Sequence, residues 1–552
     1  MKMEVVVLTL GRKVSAAASF IREYCFCQAK EDMMEIRMIM KTARSVSVEI
    51  MDGGIYYTKQ RYDIRINGEK WQETDTVVTS VYGLKPDSRY KLTVVGEEGR
   101  ELGELPFATE YEFVTLNVKD FGAKGDGVSD DTSFIQAAIL SCPKDSRVLI
   151  PRGTYKITSL FLKSDMNIEL AKGAVLKADT ERFKFPILPG LIESYDEMEE
   201  YNLGTWEGNP LDMFAGIITG IEVSNVKIYG QGSVDGSASF ENWWENEKVM
   251  VGAFRPRMLF LNHCDNIKVQ GIFFHDSPAW TLHPYFSSNL MFCNLTVENP
   301  AQSPNTDGLD PESCEYVEIC GIRFSLGDDC VAVKSGKIYM GRKYKTPCRH
   351  LHIYQCLMEN GHGAVTVGSE MAGGVIDMLV EKCRFYNTDR GLRIKTRRGR
   401  GKDAILDQIT FRDIEMEQVM SPFTANAFYF CDPDGRTEFV QSREKYPVNE
   451  GTPELKTFCF ENITAKDCHV AATYFEGLPE RKIEQVTMRN VTVTFAENAK
   501  SDVPVMSEGV EPCSKKGVFM KNVSHLILDN VKISGHEGEA METPDVDRVD
   551  LI

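Results

Sequence analysis

The chain has 552 residues, of which 42% are hydrophobic and 26% are charged, and its formal net charge is −18. This composition is normal for a globular protein and excludes a largely disordered chain. The negative charge argues against nucleic acid or an anionic membrane as the main partner, because both attract basic proteins.

Residues 1–33 fit poorly with the rest of the chain and are predicted to be an extension upstream of the folded body. The apolar run at 5–10 is short, and Arg12 and Lys13 come after it, where a signal peptide would stay apolar. We therefore expect a cytoplasmic protein, with secretion as the alternative. No stretch approaches the roughly 18 apolar residues of a membrane span, so a membrane partner is not expected.

Residues 34–109 consist of short alternating runs separated by turn residues, a pattern typical of an all-β sandwich. Leu84 and Pro86 followed by Tyr90 resemble the corner of fibronectin type III domains, in which the Tyr hydroxyl bonds nearby backbone. We predict a small fibronectin type III-like β-sandwich here, with a generic β hairpin as the alternative. No catalytic cluster falls in this part of the chain.

A glycine-rich segment at 117–127 precedes Asp130, Asp131 and the apolar run 134–140. One of these aspartates can cap a helix over 131–140. The segment lacks the Gly-Lys-Ser/Thr ending of a phosphate-binding loop and the strand context of a dinucleotide site, so we interpret it as turn structure. The helix is expected to cap a repetitive region that begins after it.

Short strand units recur beyond residue 148, for example at 266–269, 289–292 and 316–319. Such intervals match one coil each of a solenoid, apolar residues at period two point inward, and asparagines mark the turns. The sequence predicts an all-β fold in which a right-handed parallel β-helix spans 113–552.

One long interruption at 181–212 is aromatic, acidic and rich in turn residues, and it is too long for a simple connection between coils. Long loops of solenoids usually lie on the binding face. Tyr195, Tyr201 and Trp206 favour a cleft wall against which sugar rings pack, although a loop covering another side remains the alternative.

Four charged motifs succeed one another at coil-length intervals: Asn305-Thr306-Asp307, Gly327-Asp328-Asp329, Gly361-His362-Gly363 and Arg393-Ile394-Lys395. Stacked coils lie about 4.8 Å apart, so these groups are expected to share one patch of one face. Carboxylates beside a histidine and two cations are what hydrolysis of an acidic sugar chain requires. Spacing alone leaves open whether the anomeric configuration would be inverted or retained.

With these four motifs in order and without substitution, the sequence resembles glycoside hydrolase family 28, the polygalacturonases. The longer matches NTDGLDPESC, GDDCVAVKSG and RGLRIK strengthen the resemblance, which covers about residues 113–552. It implies an inverting hydrolase of α-1,4-galacturonosyl linkages in polygalacturonate or its oligomers. The interruption at 181–212 and the N-terminal module resemble bacterial exopolygalacturonases, which implies exo action from the non-reducing end.

The resemblance also implies residue roles. Asp328 would be the general acid, and Asp307 and Asp329 would hold and activate water. His362 would tune the acid or hold a sugar hydroxyl. The two cations of the last motif, Arg393 and Lys395, would bind the substrate carboxylate, which charge complementarity also favours. Three close carboxylates are expected to raise the pKa of at least one of them.

Other residues near the motifs are assigned more simply. Asn305, Lys334 and His283 are expected to contact the substrate, and Asp310 is expected to be a turn residue. The remaining cations of 393–402 are expected to form either a basic patch or a charged surface loop: Arg398, Arg400 and Lys402. The 15 scattered cysteines, without CxxC pairs, predict buried free thiols in a reducing compartment and no metal site or cofactor.

Three alternatives to a polygalacturonase remain: a hydrolase of rhamnogalacturonan or xylogalacturonan, a pectate lyase on the same type of solenoid, and a non-catalytic polysaccharide-binding solenoid. The lyase would need several calcium-binding carboxylates and an arginine base, which the four motifs fit less well than hydrolysis. The oligomeric state is left open.

Overall fold

The computed structural model describes residues 33–191 and 202–552. The chain forms two compact units, Met1–Glu110 and Tyr111–Ile552. Residues 1–32 of the predicted extension (1–33) and the aromatic residues Tyr195 and Tyr201 lie outside the described residues. No helix in the described part of the chain is long and apolar enough to cross a membrane.

The first unit contains two antiparallel sheets, one in the order β1-β2-β5 and the other in the order β4-β3-β6-β7. The strands are β1 (Ile36–Lys41), β2 (Ser45–Ile50), β3 (Tyr57–Ile66), β4 (Glu69–Thr76), β5 (Val78–Tyr82), β6 (Arg89–Val95) and β7 (Glu101–Ala108), with a 3-10 turn at Glu97–Gly99. Alternate side chains of both sheets, such as Val48 and Leu92, pack into a separate apolar core.

The predicted tyrosine contact is present in this unit. The hydroxyl of Tyr90 accepts a hydrogen bond from the Lys85 backbone N–H at 2.9 Å. The Tyr90 ring also stacks on Phe107, with ring centroids 5.6 Å apart. These contacts fit a β-sandwich, and the assignment to the fibronectin type III class stays a prediction.

The second unit is a parallel β-helix, as the sequence predicted. Its strands in chain order are β8 (Thr115–Asn117), β9 (Asp126–Asp130), β10 (Arg147–Ile150), β11 (Gly153–Ile157), β12 (Leu160–Phe161), β13 (Met166–Leu170), β14 (Ala174–Ala178), β15 (Ile187–Leu188), β16 (Met213–Phe214), β17 (Ile218–Ile221), β18 (Ser224–Gly230), β19 (Ser233–Asp235), β20 (Leu259–Asn262), β21 (Asp265–Gln270), β22 (Phe273–His275), β23 (Leu282–Tyr285), β24 (Ser288–Cys293) and β25 (Thr296–Glu298). They continue with β26 (Glu315–Cys320), β27 (Arg323–Ser325), β28 (Val331–Val333), β29 (Cys348–Tyr354), β30 (Leu357–Glu359), β31 (Val365–Gly368), β32 (Val375–Glu381), β33 (Arg384–Tyr386), β34 (Arg390–Lys395), β35 (Ile405–Glu417), β36 (Ser421–Asn426), β37 (Glu454–Leu455), β38 (Thr457–Cys468), β39 (Ala471–Glu476), β40 (Ile483–Phe495), β41 (Lys516–Lys521), β42 (Val523–Ser534), β43 (Met541–Glu542) and β44 (Arg548–Leu551).

Successive coils pair in parallel register. A 24-stranded sheet runs along the solenoid, and two shorter sheets, β12-β17-β20-β23 and β28-β31-β34-β36-β39-β41-β43, run along another side. Leu309 forms parallel bridges to Leu282 and to Val331. It thereby joins the two shorter sheets into one surface, which we call the cleft sheet.

Side chains of equal register stack in columns, which explains the periodic sequence. Ile267 pairs with Leu290, and Leu290 pairs with Val317, all buried in one core. Asn225 and Asn266 mark the turns with left-handed backbone, and the Asn266 amide donates to the Asn225 oxygen at 2.9 Å. The predicted roles of apolar and asparagine positions are therefore both seen.

The predicted capping helix is present as α1 (Thr132–Ser141), next to a 3-10 turn at Val118–Phe121. Its apolar face packs on the solenoid core. Asp130 Oδ1 accepts a hydrogen bond from the Thr132 N–H. The Asp131 carboxylate accepts from the backbone N–H groups of Lys124 and Gly125 in the glycine-rich segment. Two short helices, α2 (Ile338–Tyr344) and α3 (Glu438–Gln441), and the 3-10 turn Arg182–Lys184 complete the described elements.

Candidate active site

Backbone hydrogen bonds between coils bring the four motifs together. Gly308 N–H, next to Asp307, donates to the Asp329 carbonyl at 3.0 Å, and His362 N–H donates to the Asp328 carbonyl at 3.3 Å. Within the cleft sheet, Arg393 pairs with Thr366 of the preceding coil. Each motif thus lies one coil beyond the last, as the spacing predicted.

Glycines permit the close approach of these coils. A Cβ on Gly363 would lie 2.2 Å from Thr366 Oγ1 and 2.9 Å from Asp329 Oδ1. A Cβ on Gly327 would lie 2.4 Å from the Ala301 carbonyl oxygen. Gly327 is therefore needed because the chain passes close to a neighbouring backbone, and any larger side chain would displace the acidic pair next to it.

The three aspartates face one another across a short gap. One carboxylate oxygen from each of Asp307, Asp328 and Asp329 lies within 4.8 Å of the others. Asp329 is buried and accepts from Lys395 Nζ at 2.8 Å and from Arg393 Nη1 at 3.2 Å. The bend between Asp328 and Asp329 lets both side chains line the pocket, which a regular strand would not allow.

His362 contacts the remaining aspartate of the pair. Its Nδ1 lies 3.4 Å from Asp328 Oδ1. This hydrogen bond raises the pKa of His362 above its ordinary value. Burial raises the pKa of Asp328, but His362 and Lys395 outweigh burial and hold that pKa below its ordinary value.

The expected rise in pKa occurs at Asp307. Burial and the charges of Asp328 and Asp310 raise the pKa of Asp307 well above its usual range. Burial also raises the pKa of Asp329, but Lys395 and Arg393 reverse the effect and hold it well below its usual range. Without substrate, the raised pKa is therefore that of Asp307 and not that of Asp328, the aspartate that the resemblance implies as the acid.

Lys334 is the centre of a buried ionic cluster. Its Nζ lies 3.3 Å from Glu370 Oε2, 3.4 Å from Asp310 Oδ1 and 3.7 Å from Asp307 Oδ2. The Trp280 ring covers the ammonium at 4.0 Å. The structure places Lys334 at the pocket, as predicted, but its strong bonds go to three acids of the protein.

The assignment of Asp310 as a turn residue is wrong. Its side chain is fully buried next to Lys334, and burial raises its pKa to about 7 although Lys334 and Arg257 lower it. The groups that surround Asp310 come from distant parts of the sequence. The local pattern next to Asp307 therefore gave no sign that the Asp310 side chain is buried.

His283 does not reach the pocket, which corrects the prediction that it contacts substrate. The ring is fully buried, and its Nε2 lies 2.9 Å from Glu312 Oε2. Burial lowers the pKa of His283 well below its usual range. The ring packs against Trp280 and supports the pocket from beneath, with centroids 5.0 Å apart.

Asn305 lies at the pocket as predicted. Its side-chain oxygen accepts from Arg255 Nη2 at 2.9 Å, so the amide nitrogen is the group directed away from that contact. Trp206, expected to offer a ring to sugars, is instead buried and stacks on Phe254 with centroids 4.6 Å apart. The described part of the 181–212 segment supplies Glu207 to the pocket wall.

A segment at 502–506 borders the pocket on the side of the later coils. Arg390 Nε donates to the Pro504 carbonyl and Arg390 Nη2 donates to the Val503 carbonyl, both at 2.8 Å. Arg393 Nη2 lies 3.0 Å from the Met506 sulfur, and Asn426 Nδ2 donates to the Met506 carbonyl at 3.0 Å. Nothing in the sequence pattern indicated that this loop folds over the cleft.

The basic residues beyond the last motif do not form a substrate-binding patch. Arg398 is buried and pairs with Glu480 at 2.6 Å. Arg400 is buried against Asp432. Lys402 is exposed and pairs with Glu450 at 2.8 Å. Neither the basic patch nor the charged surface loop describes all three: Arg398 and Arg400 hold the fold together, and Lys402 alone is a surface charge.

Together these groups enclose a pocket of about 410 Å³, within the range of ligand sites. Besides the motif residues it is lined by residues that sequence reasoning missed, including Glu207, Lys248, Glu370, Asp389, Arg390, Tyr429, Asp432 and Met506. Asp389 and Arg390 lie within four residues before Arg393 of the Arg-Ile-Lys motif, and this closeness was the one available signal for them.

Two groups in the described residues could reach a metal ion: Asp307, Asp328 and Asp329, and separately Asp235, His275 and Asp276. In the first group, Asp329 already pairs with Arg393 and Lys395, which offset the negative charge that a cation would need. In the second, His275 Nδ1 already bonds Asp276 Oδ2 at 2.8 Å.

Residues 146–513 match the family model described as glycosyl hydrolases family 28. The chain belongs to this family. A second model, described as rhamnogalacturonase A/epimerase, pectate lyase-like, matches residues 115–176. The family-28 match includes every motif residue of the pocket, so the predicted family is confirmed.

Curated relatives of this family-28 protein include a probable polygalacturonase of Vitis vinifera, 29% identical over 74% of this chain and 82% of the relative. An exo-poly-alpha-D-galacturonosidase of Dickeya chrysanthemi is 24% identical over 70% of this chain and 69% of the relative. An endo-polygalacturonase of Pectobacterium parmentieri is 26% identical over 66% of this chain and 85% of the relative.

Solved structures support the fold. An exopolygalacturonase from Thermotoga maritima has 25% identity and a TM-score of 0.62, and covers 76% of this chain and 92% of its own. The family 28 exopolygalacturonase of Yersinia enterocolitica has 19% identity and a TM-score of 0.67, and covers 94% of this chain and 98% of its own. The second likeness concerns fold alone.

Proposed function

We propose that this family-28 hydrolase is an exo-acting polygalacturonase that cleaves α-1,4-galacturonosyl linkages with inversion, from the non-reducing end. The observation that carries the proposal is the pairing of Asp329 with Arg393 and Lys395 beside two further carboxylates in one pocket. A cationic pair next to an acidic cluster matches a substrate that carries a carboxylate at the bond to be cut.

In the proposed reaction, Asp328 gives its proton to the glycosidic oxygen that leaves. A water held by Asp307 and Asp329 attacks the anomeric carbon from the opposite face and passes a proton to Asp329. One water with hydrogen bonds of about 2.8 Å can bridge two oxygens about 5 Å apart, which agrees with the separations of up to 4.8 Å within the cluster. Attack by water and not by a carboxylate gives inversion.

Asp328 needs a higher pKa for this role than it has without substrate. The galacturonate carboxylate would supply it, because its negative charge would offset Arg393 and Lys395. His362 lowers the pKa of Asp328 most and Lys395 lowers it less, so neutralisation of Lys395 would shift that pKa upward, in the direction that the role requires. Substrate binding and acid activation are then linked through the same cation.

Exo action is supported by the segment 502–506, which Arg390 fixes beside Arg393 at one end of the pocket. A bordered pocket accepts a chain end more readily than the middle of a polymer. The Dickeya and Thermotoga relatives bear exo-acting names, whereas the Pectobacterium relative bears an endo-acting name. Because the relatives bear both exo-acting and endo-acting names, the geometry of the pocket is the stronger support for exo action.

Product analysis tests this function. Polygalacturonate should give a single small product, the monomer or the dimer, from the earliest times with little loss of viscosity. Pentagalacturonate labelled at its reducing end should first release unlabelled monomer or dimer, which indicates attack from the other end. A ladder of mixed oligomers would contradict exo action, and early labelled monomer or dimer would contradict attack from the non-reducing end.

Substrate class is tested separately. Rhamnogalacturonan and xylogalacturonan should be cleaved more slowly than polygalacturonate. Chelator should leave activity unchanged, and products should not absorb near 235 nm. Chelator-sensitive, absorbing products would identify a lyase instead. Binding without turnover on every substrate would favour a binding solenoid.

We also infer that the protein works in a reducing compartment, with the cytoplasm as the expected location. The support is that ten of the described cysteines are buried as free thiols, among them Cys293 and Cys320 as register partners in adjacent strands. Imported oligogalacturonides would then be the natural substrate. Fractionation of the native host that placed the protein outside the cell would contradict this location.

A further inference from the structure

We propose that Lys248 is the second carboxylate-binding residue of the pocket and holds the acid group of a neighbouring sugar across the carboxylate cluster from Arg393 and Lys395. The inference rests on the proposed function, since it deepens the recognition of galacturonan. Lys248 lies between β19 and β20, two strands of the earlier coils, outside the four motifs, and its side chain lines the pocket.

The substrate sets the requirement. Every residue of a galacturonan carries one carboxylate, so a chain that spans the scissile bond brings at least two into the site. Arg393 and Lys395 act together on one side of the cluster, where both hold Asp329. The carboxylate of the sugar on the other side is best matched by a different cation, because complementary charge favours binding and the neighbouring aspartates would repel that carboxylate.

Most cations that line the pocket already bond acids or carbonyl groups of the protein. Lys334 is buried against three acids. Arg390 donates to the carbonyls of Pro504, Val503 and Asp389. These bonds leave neither side chain able to turn toward a ligand without losing its protein partners.

Lys248 differs from them in exposure and in the weakness of its pairing. Its side chain is 63% exposed, and among the described residues the acid paired with it is the half-buried Glu207, at 3.3 Å from Nζ. Pairs in which the cation is open to solvent contribute little, about 0–1 kcal/mol. A substrate carboxylate can therefore replace or share this contact at small cost, which the buried pairs of Lys334 do not allow.

The position of Lys248 also suits the role. Its pairing partner Glu207 belongs to the 202–212 segment, and this segment is fixed to the later coils because Lys337 N–H donates to the Gly208 carbonyl at 3.0 Å. Lys248 precedes β20, the aspartates lie between β25 and β28, and Arg393 lies in β34. In the order of the stacked coils, the carboxylate cluster therefore lies between Lys248 and Arg393.

The test compares K248M with K248R and with a matched control, K402M. Lys402 is also an exposed lysine paired with a glutamate, but it lies outside the pocket lining. On trigalacturonate, K248M should raise KM about two- to fivefold with kcat within about twofold, because an exposed charged contact worth up to about 1 kcal/mol is lost. K248R should restore most of the affinity, and K402M should match the unsubstituted protein.

Salt provides a second readout that a folding defect would not reproduce. Since Lys248 is exposed, its contact with substrate is screened, so KM of the unsubstituted protein should rise as NaCl increases from about 10 to about 150 mM. K248M should show a clearly shallower rise. Equal KM and equal salt dependence in K248M and K402M would overturn the inference while leaving polygalacturonase activity intact. No hydrolysis of trigalacturonate by the unsubstituted protein would overturn the proposed function, and the inference with it.

Discussion

Two ionic clusters of the pocket contain the same types of residue with opposite balance. Around Asp329, two cations share one acid. Around Lys334, one cation shares three acids. The first cluster has positive charge to spare and suits a substrate carboxylate. In the second, burial raises the pKa of Asp307 and Asp310, and the charge of Lys334 offsets this only in part. The two clusters thus differ in how far the cations compensate the burial of the acids.

The largest effect should come from the carboxylates between these clusters. D328N should lower kcat on polygalacturonate by roughly 100- to 10,000-fold, since a neutral amide cannot donate the proton. D276N, at a half-buried aspartate outside the pocket lining, serves as the control. Steady-state kinetics and a thermal melt measure activity and folding together. Near-normal turnover in folded D328N would sink the assignment of Asp328 as the acid.

Substitution in the cation-rich cluster around Asp329 should have the second-largest effect on activity. R393A is expected to raise KM about 10- to 100-fold and to slow turnover, because it removes a charged contact to the substrate and leaves Asp329 with Lys395 alone. R412A, which removes a surface pair with Glu381, should have little effect. Steady-state kinetics of R393A and R412A on polygalacturonate measure both effects. An unchanged rate in R393A would count against carboxylate binding at this cluster.

Substitution of Lys334 in the acid-rich cluster around it should lower the stability of the fold. K334M leaves Asp307 and Asp310 buried without their nearest cation and removes one of several cations around Glu370, which should cost about 3–5 kcal/mol of unfolding free energy at pH 8. In the variant, the folded state holds protons on Asp307 and Asp310 that the unfolded chain releases, so the folded pKa values of these two acids are raised. Their stabilising contribution is present at low pH and is lost as pH rises through the folded pKa values. The deficit should therefore shrink toward pH 5.

Urea unfolding of K334M and the unsubstituted protein at pH 5 and pH 8 measures this difference. Burial already raises the pKa of Asp310 to about 7 in the native protein, so the pH range brackets a titration that the cluster itself undergoes. A deficit that grows toward pH 5 would show that Lys334 does not compensate these acids.

The smallest effect concerns the edge of the pocket. R390M removes the side chain that fixes Val503 and Pro504, so the 502–506 segment should be held less firmly. Early products from polygalacturonate should then include a few-fold larger share of mixed oligomers, with monomer or dimer still in excess. Chromatography of products at low conversion measures the share. An unchanged product pattern would mean that this segment does not confine the chain end.

Local sequence signals predicted much of this molecule because solenoid coils repeat at a near-constant length. That regularity placed Asp307, Asp328, His362 and Arg393 on neighbouring coils before any contact was known. The same reasoning failed for His283 and Asp310, because burial depends on what covers a coil and not on its register. Trp206 was misjudged for the same reason.

Loops were the second feature whose positions the sequence did not predict. Glu207, Lys248 and the 502–506 segment reach the pocket from insertions that have no repeat, so their positions depend on tertiary contacts such as the Arg390 hydrogen bonds. No periodicity connects residue 502 to residue 390. The sequence reveals the catalytic motifs but not the walls that decide which part of a polymer enters.

The stereochemistry of the first product tests the central claim most directly. Proton NMR of oligogalacturonide hydrolysis at early times should show the β-anomer at the new reducing end before mutarotation, because water held between Asp307 and Asp329 attacks opposite the leaving oxygen. Initial release of the α-anomer would mean retention and would contradict the account of the three carboxylates.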